Sequence, residues 1–152
     1  MKTVERERPS GVVHSEVRPV VAIVDDDASI REALRSLIAS AGYVVRVFAS
    51  AREFLSSSGR SELACVLLDA QMHGLSGLGL QRQLADMHAR VPIIFVTASA
   101  TEVRARALAA GAAAVVGKPF NGEQLLRIVA RVTRAGRGGA RGDGATTSVR
   151  RG

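Results

Sequence analysis

Val20-Val21-Ala22-Ile23-Val24-Asp25-Asp26-Asp27 is the stretch that decides the fold. Five apolar residues follow one another with no polar alternation, which marks a strand covered on both faces. The run then stops in three consecutive carboxylates. Working outward, the same grammar repeats along the chain. Ile30, Leu34, Leu37, Ile38 and Ala41 fall on one helical face, with Gly42 as the expected C-terminal stop. Tyr43 to Phe48 reads as a second strand and Ala51 to Ser57 as a short helix ending near Gly59. Ala64-Cys65-Val66-Leu67-Leu68 is a third buried strand, stopping at Asp69. A Gly-rich loop at 73–79 leads into a helix carrying Leu78, Leu80, Leu84 and Met87. Val91 to Val96 reads as the fourth strand, Glu102 to Ala110 as the next helix and Ala113 to Val116 as the fifth strand. A last helix is expected from about Gly122 to Val132, with Leu125, Leu126, Ile128 and Val129 on its apolar side. Five strand–helix units joined by short links predict an α/β fold, a parallel sheet with helices on both faces.

The chain has 152 residues, which suits one domain with a real core. A hydrophobic share of 47% against 23% charged is globular usage, not that of a disordered chain. A single Cys excludes an internal disulfide framework and a multi-cysteine metal site. Cys65, inside an apolar strand, reads as a small packed hydrophobe. No apolar run approaches the roughly 18 residues that cross a bilayer. Met1 to Pro9 leads into no signal-peptide apolar region, so a reduced cytoplasmic setting is expected. The net charge of +7 invites a nucleic-acid reading until it is located. Residues 1–18 net +1 and residues 19–130 net +1, whereas 131–152, with six Arg against Asp143, net +5. The expected organisation is a flexible extension over 1–18, a folded domain over 19–133, and a disordered Arg/Gly-rich basic tail over 134–152.

In open parallel sheets, chemistry sits at the carboxyl ends of the strands. Here those ends carry Asp25-Asp26-Asp27, Asp69 and Thr97, and the fifth strand is followed by Gly117-Lys118-Pro119-Phe120. Carboxylates gathered in one small cleft repel each other unless a cation is present, which points to a divalent metal. Oxygen ligands with neither His nor Cys among them suit Mg²⁺ rather than Zn²⁺. A Lys and a Thr hydroxyl facing such an ion form a clamp for a phosphoryl group. The residues thus describe a Mg²⁺ and phosphoryl site with a carboxylate available as nucleophile.

These strings, VDDD at 24–27, LLDAQMHGLSG at 67–77, PIIFVTA at 92–98 and AGAAAVVGKPF at 110–120, resemble the response-regulator receiver domain of bacterial two-component signalling. The resemblance covers about residues 19–133, and in the Asp69 loop and first helix it is nearest to receivers of the nitrogen-fixation transcriptional regulator type. It implies a flavodoxin-like (βα)5 fold, doubly wound, with a parallel five-stranded sheet in the order 2-1-3-4-5. It also implies that Asp69 is the phosphoacceptor, attacking the phosphohistidine of a sensor histidine kinase or a histidine phosphotransfer protein. Asp26 would then ligate Mg²⁺ directly, Asp25 mainly through a coordinated water, and Asp69 and the Gln71 backbone carbonyl would complete the set. Lys118 would pair with a phosphoryl oxygen and Thr97 would hydrogen-bond the phosphorylated form, with small Ala98 leaving room. The Lys118–Pro119 bond would be cis, turning the ammonium into the cleft.

Two positions depart from the family pattern. His73 stands where Pro is usual, four residues after the acceptor, and Val115 stands where an aromatic switch residue is usual, three before the Lys. With Val there is no ring to rotate toward the face formed by the fourth helix, fifth strand and fifth helix. Other readings stand beside this one. An acidic cluster before a helix also serves as an N-cap, with Asp27 as the capping residue. His73 also reads as a solvated loop histidine, and His14 and His88 carry no pattern. Asp25-x-Asp27-x-Ser29 fits the nucleophile motif of haloacid-dehalogenase-type phosphatases, with Asp25 attacking, but no acidic pair follows Lys118 and Asp69 is left without a role. The basic tail offers a nucleic-acid reading, yet it has no aromatic residue for base stacking and no specific DNA binding is expected of it. The expectation is a stand-alone response regulator, not a conventional enzyme. It would signal through an unidentified protein target or act as a phosphate shuttle or sink, with no membrane partner.

Overall fold

The computed structural model describes the backbone of residues 18–151 and the side chains of residues 18–136. Five parallel strands alternate with five helices: β1 (Val20–Val24), α1 (Ala28–Ser40), β2 (Val44–Phe48), α2 (Ala51–Ser56), β3 (Leu63–Leu68), α3 (Gly77–Asp86), β4 (Ile93–Thr97), α4 (Ala100–Ala109), β5 (Ala114–Gly117) and α5 (Gly122–Arg151). The sheet order is β2-β1-β3-β4-β5, the doubly wound arrangement implied by the sequence resemblance. Order reverses beside β1, so the ends of β1 and β3 flank the crevice where such sheets bind ligands. Register holds those ends level: Val24 lies opposite Leu68, and the Asp69 N–H donates to the Val24 carbonyl at 3.1 Å.

Strand geometry explains why the apolar runs carry no alternation. Successive side chains point to opposite faces, and here both faces are covered. Val21 and Ile23 turn to one side, with Leu34 and Ile38 of α1 and Leu125 and Val129 of α5. Ala22 and Val24 turn to the other, with Phe54 of α2, Leu80 and Leu84 of α3, and Val103 of α4. Phe48 and Phe54 meet edge-on there, ring centroids 5.2 Å apart. Cys65 is fully buried in the first layer, and burial pushes its thiol up to about 12. The expected inert packing role fits that environment.

Helix starts follow local chemistry. Asp27 caps α1, its carboxylate accepting from Ser29 N at 2.9 Å and Ile30 N at 3.2 Å. Ser50 caps α2 and Ser76 caps α3 in the same way. Gly42, just past α1, has φ +98°, the left-handed geometry expected of a helix stop.

Several expectations shift. The helix expected to follow the Gly-rich loop at 73–79 begins inside it, at Gly77, because Ser76 supplies the cap. Met87, expected on that helix's apolar side, lies beyond its end at Asp86 and is 46% exposed, the chain turning away through His88 at φ +58°. A 3-10 turn over Arg60–Glu62 was not foreseen; the Arg60 guanidinium closes the end of α2 by donating to the Leu55 and Ser57 carbonyls. β4 starts at Ile93 rather than Val91, after Pro92, which has no N–H to give a ladder. The last helix does not stop near Val132: its backbone continues to Arg151. Extending a helix already nucleated and packed costs little per residue, and no Pro intervenes. Packing nonetheless ends early. Val132 and Thr133 are buried, and Arg134, Ala135 and Gly136 are exposed. The expected extension over 1–18 lies outside the described residues apart from Arg18, as do the side chains of most of the expected tail.

Candidate functional site

β1 and β3 are neighbours, so the residues just past their ends meet although 44 positions separate them. Asp25 is 1% exposed and Asp69 8%, and one ammonium serves both. Lys118 Nζ stands 2.8 Å from Asp25 Oδ2 and 3.1 Å from Asp69 Oδ2. The remaining oxygens are held by the backbone: Asp25 Oδ1 accepts from Asp27 N at 2.9 Å and Asp69 Oδ1 from Gln71 N at 3.1 Å. Lys118 reaches the cleft from the far side of the sheet, its own N–H donating to the Thr97 carbonyl at 2.9 Å, and its bond to Pro119 is cis as the resemblance implies.

Asp26 completes the acidic group. One carboxylate oxygen from each of Asp25, Asp26 and Asp69 lies within 4.8 Å of the others. Asp26 does not share Lys118; its Oδ2 accepts from the His73 N–H at 2.9 Å and meets His73 Nδ1 at 2.8 Å. The electrostatics follow these placements. Burial pushes the Asp25 carboxyl above the usual range, against the opposing pull of Lys118 and the Asp27 N–H. The two His73 donors hold Asp26 below it. Burial alone would pull Lys118 down, but its two carboxylates together outweigh that and hold it above the usual lysine range.

Of three consecutive acids, only Asp25 and Asp26 belong to this cluster, while Asp27 is spent on the α1 cap. Gln71 is exposed at the cleft edge, and Thr97 is wholly buried at the end of β4. Thr97 Oγ1 lies 3.1 Å from Ser99 Oγ and accepts from Ser99 N at 3.2 Å. Ser99 starts α4 but makes no side-chain cap there. Val115 is buried in β5.

The sequence reading did not assign four contributors. His73, weighed there as a solvated loop residue, is indeed fully exposed, yet it is bonded to Asp26. Ser99 engages Thr97. Arg31 donates to the Asp25 carbonyl at 2.7 Å, tying α1 to the end of β1. Gly77 lets α3 lie against the acceptor loop, since a Cβ there would collide with the Asp69 carbonyl and Ala70 Cα. Gly77 leaves a trace in sequence as part of the Gly-rich loop and His73 as a departure from the family pattern; the contacts of Arg31 and Ser99 depend on tertiary placement. Asp25, the nucleophile of the phosphatase reading, is the more deeply buried of the two carboxylates that share Lys118, and that reading leaves Asp69, the more accessible one, without a role.

A family model described as the response regulator receiver domain matches residues 21–130. The response regulator protein TodT of Pseudomonas putida is 40% identical over 122 residues, covering 79% of this chain and 54% of TodT. The transcriptional regulatory protein FixJ of Bradyrhizobium diazoefficiens is 30% identical over 110 residues, 72% of this chain and 54% of FixJ. The crystal structure of a response regulator receiver protein from Burkholderia phymatum superposes with a TM-score of 0.68 at 44% identity, covering 76% of this chain and 95% of that one. The chain thus spans about half the length of the curated relatives it matches. No described helix is long and apolar enough to cross a membrane.

Proposed function

Because this chain belongs to the response regulator receiver domain family, we propose that it is a phosphoryl switch whose acceptor is Asp69. The observation that carries the reading is the shared ammonium: Lys118 bridges Asp69 and the more deeply buried Asp25, so one cation is poised where phosphoryl oxygens would arrive. Receivers are phosphorylated by histidine kinases, and the proposed donor is a phosphohistidine on a sensor kinase or a phosphotransfer protein. An Asp69 carboxylate oxygen attacks phosphorus, the N–P bond breaks, the freed imidazole takes a proton, and Asp69 becomes an acyl phosphate.

The donor set fits Mg²⁺. One oxygen from each of three carboxylates lies within 4.8 Å of the others and only two of the three share an ammonium, leaving an excess of negative charge, and the acidic cluster offers only oxygen. Asp25, Asp26, Asp69 and the Gln71 carbonyl would hold the ion. When bound, it supplies neutralisation of the charge gathered between acceptor and phosphoryl oxygens. The chain's own residues do the rest. Gln71 N–H orients Asp69, Arg31 pins the Asp25 backbone, and Lys118 passes from carboxylate to phosphoryl oxygen.

Output is proposed to start at Thr97. When the Thr97 hydroxyl turns its proton to a phosphoryl oxygen it no longer donates to Ser99, whose own hydroxyl stands beside a helix start that has no side-chain cap. That is a local two-state element biased by new charge at Asp69, with a protein contact or onward phosphotransfer as its consequence. We assign the domain to 19–133, which the burial of Val132 and Thr133 supports, and the excess positive charge beyond it to an appendage rather than to the switch.

Labelling by a small acyl phosphate with Mg²⁺, read as the mass of one added phosphoryl group, tests the assignment. Wild type gains it and Asp69→Asn does not. Labelling that survives Asp69→Asn and disappears in Asp25→Asn would instead establish the phosphatase-type nucleophile. Phosphotransfer profiling against histidine kinases then identifies the donor.

A further inference from the structure

His73 follows β3 in the acceptor loop and is exposed on all sides, yet two of its donors converge on a single oxygen. Its backbone N lies 2.9 Å and its Nδ1 2.8 Å from Asp26 Oδ2. Among the described residues no other side chain meets this carboxylate: Lys118 is taken by Asp25 and Asp69. A carboxylate oxygen offers two lone-pair directions, and both on Oδ2 are filled by His73. An ionised carboxylate only accepts, so the 2.8 Å contact is made through a proton on Nδ1. Asp26 is also the most exposed of the three clustered acids, the one an arriving ion meets first.

A divalent ion entering this cluster needs oxygen with free lone pairs and undiminished charge. On Asp26 it finds one oxygen occupied and the charge partly satisfied. We propose that His73 is a positioning residue that latches Asp26 in the ion-free protein and competes with Mg²⁺ for it. The site therefore takes Mg²⁺ more weakly than the same carboxylates would without the latch, and occupancy depends on release of the loop that carries His73. The inference rests on the reading of Asp25, Asp26 and Asp69 as the Mg²⁺ site.

The two halves of the latch separate by substitution. His73→Ala removes the ring and keeps the N–H; His73→Pro removes both, since Pro has no backbone N–H. The chain has no Trp, so calorimetric titration of the full chain with MgCl₂ at fixed ionic strength is the direct readout. The Mg²⁺ dissociation constant is expected to fall about threefold in His73→Ala and about tenfold in His73→Pro, as hydrogen bonds of ordinary net strength are removed one at a time. Labelling by a small acyl phosphate sharpens this: the half-saturating Mg²⁺ concentration drops in the same order, while rates at saturating Mg²⁺ coincide. A merely structural role for His73 would not split these two quantities. Equal affinity in wild type and His73→Ala, or weaker binding in the variant, overturns the latch while Mg²⁺ binding abolished by Asp26→Asn leaves the site itself intact. Absence of Mg²⁺ binding in wild type and both His73 variants removes the site and the latch together. Should circular dichroism find His73→Pro unfolded, His73→Ala decides alone.

Discussion

The two halves of the strand-end rim differ in how tightly their groups are committed. On the β1–β3 side, Asp25 and Asp69 share Lys118 and each also takes a backbone N–H, so the group is connected and charge-assisted throughout. On the β4–β5 side, the Thr97 hydroxyl meets only Ser99 among the described residues, through neutral contacts of 3.1 and 3.2 Å, and the Val115 side chain has no polar atom and no ring. Charge-assisted bonds are about twice as strong as neutral ones. The first half is accordingly set to receive a charge at a defined place. The second is a weakly held pair, easily exchanged when a stronger partner arrives at Asp69. Under the proposed function, capture and output would rest on interactions of different strength, and each could be broken without the other.

The largest effect is expected on the capture side: Asp69→Asn should abolish acyl phosphate labelling outright while leaving a cooperative unfolding transition. Lys118→Met comes next. It should slow labelling about 100-fold, the usual cost of one lost charge-stabilising donor. It also leaves two buried carboxylates without their cation, for a loss of about 3 kcal/mol at neutral pH, measured by urea denaturation. The pH dependence has a definite sign. Lys118 titrates above its ordinary 10.5 in the fold, so its contribution is complete below that value and is lost only as pH climbs beyond it. The stability gap between wild type and Lys118→Met should therefore be the same at neutral and mildly alkaline pH. A gap that closed below pH 9 or so would break the picture of a committed capture half.

The output half should answer more mildly. Val115→Phe forces a ring into a buried site and is expected to cost about 2 kcal/mol while leaving labelling unchanged. Ser99→Ala removes the hydroxyl–hydroxyl contact with Thr97 and keeps the backbone N–H that Thr97 accepts, a loss of about 1 kcal/mol, again with labelling close to wild type. If either substitution slowed labelling as much as Lys118→Met, the division between halves would be wrong.

Much of this can be read from the chain alone. The β-branched run Val20–Val24 reads as a strand buried on both faces, and its equivalents before Asp69 and Thr97 repeat the pattern. Asp25, Asp69, Thr97 and Lys118 stood out because each ends, or follows, an apolar run. What stayed hidden was how neighbours divide their tasks. Asp25, Asp26 and Asp27 are chemically identical in sequence, but backbone direction sends one into the cluster beside Lys118, one to His73 and one to cap α1. Met87 fits the helical period and falls outside, because a helix ends where its carbonyls find other partners. The end of α5 was equally illegible, since Gly-rich sequence argues against a helix that is nonetheless continued from a packed first part.

By itself, then, the sequence determined the number and kind of elements, the parallel sheet, and the set of acids, hydroxyl and ammonium that could share a rim. Periodicity and burial act locally along the chain, so they can be read from it. Only the tertiary structure decided which carboxylates share Lys118, that Thr97 rests on Ser99, and that His73 grips Asp26. Those pairings join residues up to 93 positions apart, and hydrogen bonds depend on distances of a few tenths of an ångström that no spacing in the chain encodes.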